Sequence, residues 1–281
     1  TRHDARRAAM TFEVHRRAPP PHLAGIVAAI TGYRETAPGW TRMREAAPLR
    51  VPLIISFGAP FRIALGRAPH EADRQPSSAG LFPGPVEIAS DGAAACVQAD
   101  FTPLGAVRLF GGALADLANR MVPLDLALGT DGARLRERLG ATPDWSTRFA
   151  IVEAFVTARL THRPSPEVSF AWHRLAATGG ALRITALAEE IGWSRQRLHT
   201  RFRAELGQGP KTVARMLRFH HACRAATRAN TGWAGIAADC GYADQAHLAR
   251  EFLDLGGEPP TTWARRVAAR DPRLNPLAEA P

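Results

Sequence analysis

The chain has 281 residues, 46% of them hydrophobic and 22% charged, enough for two domains with separate cores. Its formal charge is +10, carried almost wholly by arginine, so an acidic polymer or an anionic surface is the expected partner, with a GC-rich genome as the plain alternative. Cys96, Cys223 and Cys240 lie far apart without CxxC spacing, which argues against a disulfide framework or a zinc ribbon and fits a reducing cytoplasm.

No apolar run approaches a membrane span, and the opening TRHDARRAAM has no apolar segment after its charges, so the expectation is a chain neither secreted nor membrane-spanning. Residues 1–18 are Arg-rich and lead into APPPHL, which predicts a flexible basic arm. From about residue 49 short apolar runs alternate with turn residues: LRVPLIISFG, FRIALG, AGLFPGPVEIAS and CVQADFTP read as strands of a small sheet or barrel. RAPHEADRQPSS between them has no periodicity and reads as a loop. After Pro103 the pattern turns helical, in LGAVRLFGGALADLANRM and again in DWSTRFAIVEAFVTARL. In the second, Phe149, Val152, Val156 and Leu160 share a face while Arg148 and Arg159 are expected to point away; that stripe covers either the chain's own sheet or a second subunit. THRPSPE, residues 161–167, marks a boundary, and beyond it only helices and turns are predicted. The expected organisation is an α+β chain: an arm at 1–18, a strand-rich domain with following helices at 19–162, an all-α domain at 163–270 and a tail at 271–281.

The all-α region repeats. ITALAEEIGWSRQRLHTRFRAELGQGPKTVAR (184–215) aligns with WAGIAADCGYADQAHLAREFLDLGGEPPTTWAR (233–265) at a period of about 50 residues. Leu187 meets Ile236, Ala188 meets Ala237, Gly192 meets Gly241, Leu198 meets Leu248, Phe202 meets Phe252 and Pro210 meets Pro260. Each copy opens with a short helix carrying one apolar stripe, stops at a glycine where positive φ costs little, and restarts at a polar N-cap, Ser194 or Asp244. That order is a helix-turn-helix unit. Its second helix buries only the Leu and Phe four residues apart, so its other faces are free to lie in a major groove.

The expected outward sets are Arg195, Gln196, Arg197, His199, Thr200, Arg201 and Arg203 in the first copy, and Gln245, Ala246, His247, Ala249 and Arg250 in the second. Gln and Arg each make paired hydrogen bonds to one base, adenine and guanine respectively. The connector PKTVARMLRFHHACRAATR (210–228) predicts a helix long enough to set two recognition helices in successive major grooves. Phosphate or backbone contact is expected from Ser194, Arg195, Arg197, Arg201, Lys211, Arg215, Arg218 and His247.

LAEEIGWSRQRLHTRFRAELGQGPKTVARMLR and IAADCGYADQAHLAREFLDLGGEPPTTWARR resemble the two helix-turn-helix motifs of the AraC/XylS family of transcriptional regulators, over about residues 165–266. The resemblance implies a seven-helix DNA-binding domain whose base contacts fall on Gln196, His199 and Thr200, and on Gln245, Ala246 and Arg250. Ala246 departs from the pattern, since a methyl group cannot hydrogen-bond a base. The first half resembles that family's regulatory domains only in its order of strands then helices; in ligand-sensing members such strands form a cupin-like barrel around a small molecule and the helices dimerise. The implied partners are double-stranded DNA, a small-molecule effector of unknown identity, a second copy of the chain in a homodimer, and, further off, RNA polymerase; no membrane is implied.

Other chemistry is poorly represented. His220, His221 and Cys223 share one helical turn, but adjacent histidines point about 100° apart and cannot both meet one ion with the thiol. Cys240 aligns with Ile191 in the repeat and reads as core, as does Cys96 in AAACVQADF. The glycines of LFPGPVEIAS and LFGGALAD lack phosphate-loop spacing, and no catalytic, cofactor or metal residues are nominated. Two alternatives stay open: a regulator whose first half only dimerises, and a DNA-repair enzyme fused to the DNA-binding region, which would require an activated cysteine.

Overall fold

The computed structural model describes residues 12–36, 41–73, 78–228 and 232–269. Its first half contains β1 (Phe12–Arg17), β2 (Val27–Glu35), β3 (Thr41–Glu45), β4 (Val51–Ser56), β5 (Arg62–Leu65), β6 (Ser78–Ala79), β7 (Val86–Ser90) and β8 (Ala95–Phe101). These are followed by α1 (Pro103–Phe110), α2 (Ala113–Leu117), β9 (Met121–Val122), α3 (Leu124–Leu128), α4 (Thr130–Ala141) and α5 (Trp145–Arg159). Antiparallel pairing gives one sheet in the order β1-β2-β8-β4-β6-β9 and a second in the order β3-β7-β5. This is the expected cupin-like, strand-rich architecture with helices after it.

Side-chain alternation explains how the larger sheet is buried on both faces. On β4, Leu53 and Ile55 join the core beneath the helices, whereas Ile54 turns the other way. On β8, Val97, Ala99 and Phe101 do the same, and Cys96 faces oppositely. The space between the sheets is filled by Tyr33, Met43, Ile54, Phe61, Ile63, Val86, Ile88 and Cys96, all buried. The barrel interior is therefore a packed core of the chain's own side chains. Burial raises the Cys96 thiol pKa well above its usual value, which suits a core residue and not a nucleophile.

Strand β1 corrects the flexible arm expected over residues 1–18. Phe12–Arg17 pair in continuous register with Ile30–Glu35, and residues 1–11 lie outside the described residues. The HRR run resembles a solvated charge cluster, but here it is an edge strand that leans on α5. The Arg17 Nε lies 2.9 Å from Glu153, and the His15 ring stacks on Trp145 with centroids 4.9 Å apart. The tail expected at 271–281 lies outside the described residues.

Helix α5 starts at its N-cap Asp144, whose carboxylate accepts from the Thr147 amide at 2.8 Å. Phe149, Val152 and Val156 are buried against β2 and β8 of the same chain. The stripe thus covers its own sheet, and the homodimer expected from the sequence loses the face that motivated it. Arg148, expected to point away from this stripe, is instead 2% exposed. Its guanidinium lies over the rings of Phe57 and Trp145, 4.4 and 4.6 Å from their centroids, an aromatic sandwich that helical spacing alone does not reveal.

The second half is helical: α6 (Pro166–Ala177), α7 (Ile184–Ile191), α8 (Arg195–Leu206), α9 (Pro210–Arg228), α10 (Trp233–Asp239), α11 (Gln245–Gly256) and α12 (Pro260–Ala268). Seven helices among the described residues match the number expected. Ser165 caps α6, and its amide and hydroxyl both donate to Glu205 of α8, at 2.8 and 2.7 Å.

The two halves meet along the C-terminal ends of α8 and α11. After α8, Gln208 Nε2 donates to the Leu81 carbonyl at 2.7 Å and to Asn119 Oδ1 at 2.8 Å, while α1 and α2 pack on α8 itself. At the end of α11, the Ala47 amide donates to the Leu255 carbonyl at 2.8 Å and Arg44 Nη1 to the Gly257 carbonyl at 3.2 Å. From α9, His220 Nε2 donates to the Ala47 carbonyl at 2.7 Å.

Burial of this imidazole and the nearby positive charge of Arg50 lower the His220 pKa below its ordinary 6.5, the Ala47 carbonyl only partly offsetting them. The folded chain accordingly prefers neutral His220, whereas the unfolded chain protonates near the ordinary value. The stability this group contributes is present above pH 6.5 and is lost as pH falls through that value toward the lowered folded pKa. Melting temperature is expected to drop between pH 7.5 and 5.5, and the drop is expected to shrink in His220→Gln. An identical pH slope in the variant removes His220 from the account.

Candidate nucleic-acid interface

The two copies of the repeat build the same turn. Helix α7 ends at Gly192 with φ +73°, and the Trp193 amide donates back to the Ala188 carbonyl at 2.9 Å. Helix α10 is followed by Gly241 with φ +75°, and the Tyr242 amide donates to the Ala237 carbonyl, again at 2.9 Å. Both glycines adopt the left-handed conformation that an L side chain resists. Ser194 then caps α8 by accepting from the Arg197 amide at 3.1 Å, and Asp244 caps α11 by accepting from the His247 amide at 2.6 Å.

Leu198, Phe202 and Leu206 bury the inner face of α8, and Leu248, Phe252 and Leu255 that of α11. Gln196, His199 and Thr200 are exposed on α8, and Gln245, Ala246 and Arg250 on α11. The domain contact holds both helices at their C-terminal ends and leaves these N-terminal and central positions open. His199 also sits against Gly209, where a β-carbon would come within 2.7 Å of its ring, so its imidazole is steered by the turn into α9.

Ser194, Arg195, Arg197, Arg201 and Lys211 are exposed as well. The Arg197 guanidinium lies 4.7 Å from the Trp193 ring centroid, which braces it beside the cap of α8. His247 is half-buried: its Nδ1 accepts from the Ala243 amide at 3.4 Å, and its ring stands edge-on to Tyr242.

Arg215 and Arg218 take a different place from the phosphate contact expected of them. Arg215 Nε donates to Glu251 at 2.8 Å and its Nη2 to Asp254 at 3.2 Å. Arg218 Nε lies 3.9 Å from Glu251, its guanidinium beneath the Tyr242 ring at 5.3 Å. The Glu251 carboxylate raises the Arg215 pKa further. Both arginines clamp α9 to α11, and so fix the angle between these two helices.

Glu251 is not among the residues expected to matter from the sequence, although its signal is present there. Leu248, Glu251, Phe252 and Leu255 follow the i, i+3, i+4, i+7 spacing of a buried stripe, so a carboxylate there requires a cation facing it. The structure supplies two from α9.

Residues 187–266 match a family model described as a helix-turn-helix domain. The second half therefore carries a helix-turn-helix domain. The match covers both turns described above. A comparison with curated proteins gave no match.

Among solved structures, the chain is similar to the DNA-binding domain of the global transcriptional factor AdpA in complex with a target DNA. That similarity has 22% identity over 38% of this chain and 98% of that one, with a TM-score of 0.36. An AraC-type regulator from Chromobacterium violaceum is similar at 20% identity over 40% of this chain and 95% of that one, with a TM-score of 0.34. ToxT from Vibrio cholerae is similar at 12% identity over 90% of this chain and 98% of that one, with a TM-score of 0.45. Among the described residues no helix is long and apolar enough to cross a membrane.

Proposed function

We propose that the chain is a sequence-specific transcription regulator whose α8 and α11 enter successive major grooves on one face of duplex DNA. The observation that carries this reading is the duplicated turn: two glycines at φ +73° and +75°, two identical back-bonds and two capped helices whose exposed faces bear Gln196, His199, Thr200, Gln245 and Arg250. The connector α9 has 19 residues, about 28 Å of helix, against roughly 34 Å between major grooves on one face. Arg195, Arg197, Arg201 and Lys211 stand where phosphates flank such a groove, and they carry the salt-dependent part of the affinity.

Selection of bound sites from random duplexes by the full chain tests the two-groove reading. Two preferred blocks about one helical turn apart are expected. A single block, or binding without sequence preference, overturns it. In this reading the first half senses a small molecule and transmits its state through the contacts at Gln208, His220 and Ala47.

A further inference from the structure

Arg148 is buried, and among the described residues it has no counter-ion. Its Nε donates to the Leu139 carbonyl at 3.1 Å, its Nη1 is buried with no hydrogen-bond partner, and no carboxylate among the described residues pairs with it. A guanidinium taken from water ordinarily requires an anion, since aromatic faces compensate only part of the lost hydration. A second guanidinium lies close by: Arg34 is 5.7 Å from the same Trp145 ring, and its nearest carboxylate, Glu13, is 3.6 Å away in an exposed pairing. Desolvation and the charge of Arg34 both lower the Arg148 pKa, with Glu13 and Asp144 offsetting part of this. The local field thus favours an added negative charge.

Both arginines border an open cleft of about 560 Å³ between the mouth of the barrel and the C-terminal end of α4. The other walls are mostly small or apolar, with Phe57, Gly58, Ala93, Ala95 and Gly140 among them. Glu35 also borders the cleft, but its carboxylate accepts from Ser90 Oγ at 2.6 Å, the Ala94 amide at 2.7 Å and Tyr33 at 3.1 Å. A cleft of about 520 Å³ between β3 and α12 is also lined by arginines, but Arg42 and Arg44 already hold Glu87, and Arg266 holds Glu258.

We propose that the cleft at Arg148 binds a small organic carboxylate with an apolar body, the carboxylate held by Arg148 and Arg34 and the body resting on Phe57, Ala93 and Ala95. The site stands on the geometry alone; only its consequence for DNA binding rests on the function proposed above.

The test titrates the full chain with cyclohexanecarboxylate, with its neutral analogue cyclohexylmethanol, and with inorganic phosphate at matched ionic strength, reading heat of binding and melting temperature. Cyclohexanecarboxylate is expected to bind once per chain and, at a hundred times its Kd, to raise the melting temperature by roughly 5 °C. The alcohol and phosphate are expected to leave it unchanged. Arg148→Met removes the charge. Gly140→Met is directed into the cleft from α4 and keeps the guanidinium; its β-carbon would meet the Phe57 Cβ at 3.7 Å, an ordinary van der Waals contact, and its melting temperature without ligand is recorded as the folding control. Each variant is expected to weaken binding at least tenfold.

Equal binding of the alcohol, absence of carboxylate binding to the wild type, or undiminished binding to Gly140→Met overturns the proposal. Phosphate binding as tightly as the carboxylate overturns the apolar half of it. Carboxylate binding that leaves DNA affinity unchanged sinks the sensing role and leaves the site standing.

Discussion

Phe252→Ala is expected to lower unfolding stability by about 3–5 kcal/mol, the range for deleting a fully buried ring. Phe252 is 0% exposed, and its ring lies 4.9 Å from Phe219, 5.5 Å from Trp233 and 5.7 Å from Trp263, all edge-on. These four rings come from α9, α10, α11 and α12, so one side chain ties the second helix-turn-helix unit together. The cavity cannot close without moving helices that the Arg215–Glu251 clamp also holds in place. Denaturant unfolding of the full chain, followed at the tryptophans, measures the loss. A change below about 1 kcal/mol would show that the cluster relaxes around the gap, and that α11 is anchored elsewhere. At temperatures where the variant stays folded, the ratio of cognate to random DNA affinity is expected to be preserved.

The repeat is legible in the sequence because its turns depend on local chemistry. Gly192 and Gly241 are required by their positive φ, Ser194 and Asp244 by orphan amides, and Ala188 and Ala237 accept the back-bonds that close each turn. None of these needs a distant partner to be recognised. Strands β4, β5, β7 and β8 are legible for the same reason, as apolar runs between Gly and Pro.

What escapes reading depends on partners far away in the chain. Strand β1 is hidden by its HRR run, whose charges are accommodated by Glu153 and Trp145 more than 125 positions later. Arg148 looks like the solvated side of α5, and only the rings of Phe57 and Trp145 explain its burial. Arg215 and Arg218 look like phosphate contacts until Glu251 is seen to face them. Each of these is a charge whose role is set by what the fold brings opposite it, information that a helical period does not carry.

The same distinction separates the exposed side chains proposed to read bases from the cations held inside the fold. Arg250 and Gln245 are exposed on α11, and among the described residues no carboxylate holds them, so the Gln245→Ala, Arg250→Ala double variant is expected to lose affinity for the selected site by on the order of 1–3 kcal/mol per side chain. On random duplex the loss is expected to be smaller, because phosphate contacts carry most of that affinity. Lys211, exposed at the start of α9, is proposed to meet phosphates and not base edges, so Lys211→Ala is expected to weaken both duplexes alike and to reduce the dependence of affinity on salt. Arg215→Ala belongs to neither class. It leaves the Glu251 carboxylate, 3% exposed, facing the more distant cations Arg218 and His247, so its first effect is on the stability and angle of α11. All three proteins are compared with the parent at one salt concentration, with melting temperature recorded beside affinity. If the double variant keeps the parent's cognate-to-random ratio while Lys211→Ala changes it, then α11 does not read bases, and the exposed face that begins at Gln245 serves another partner.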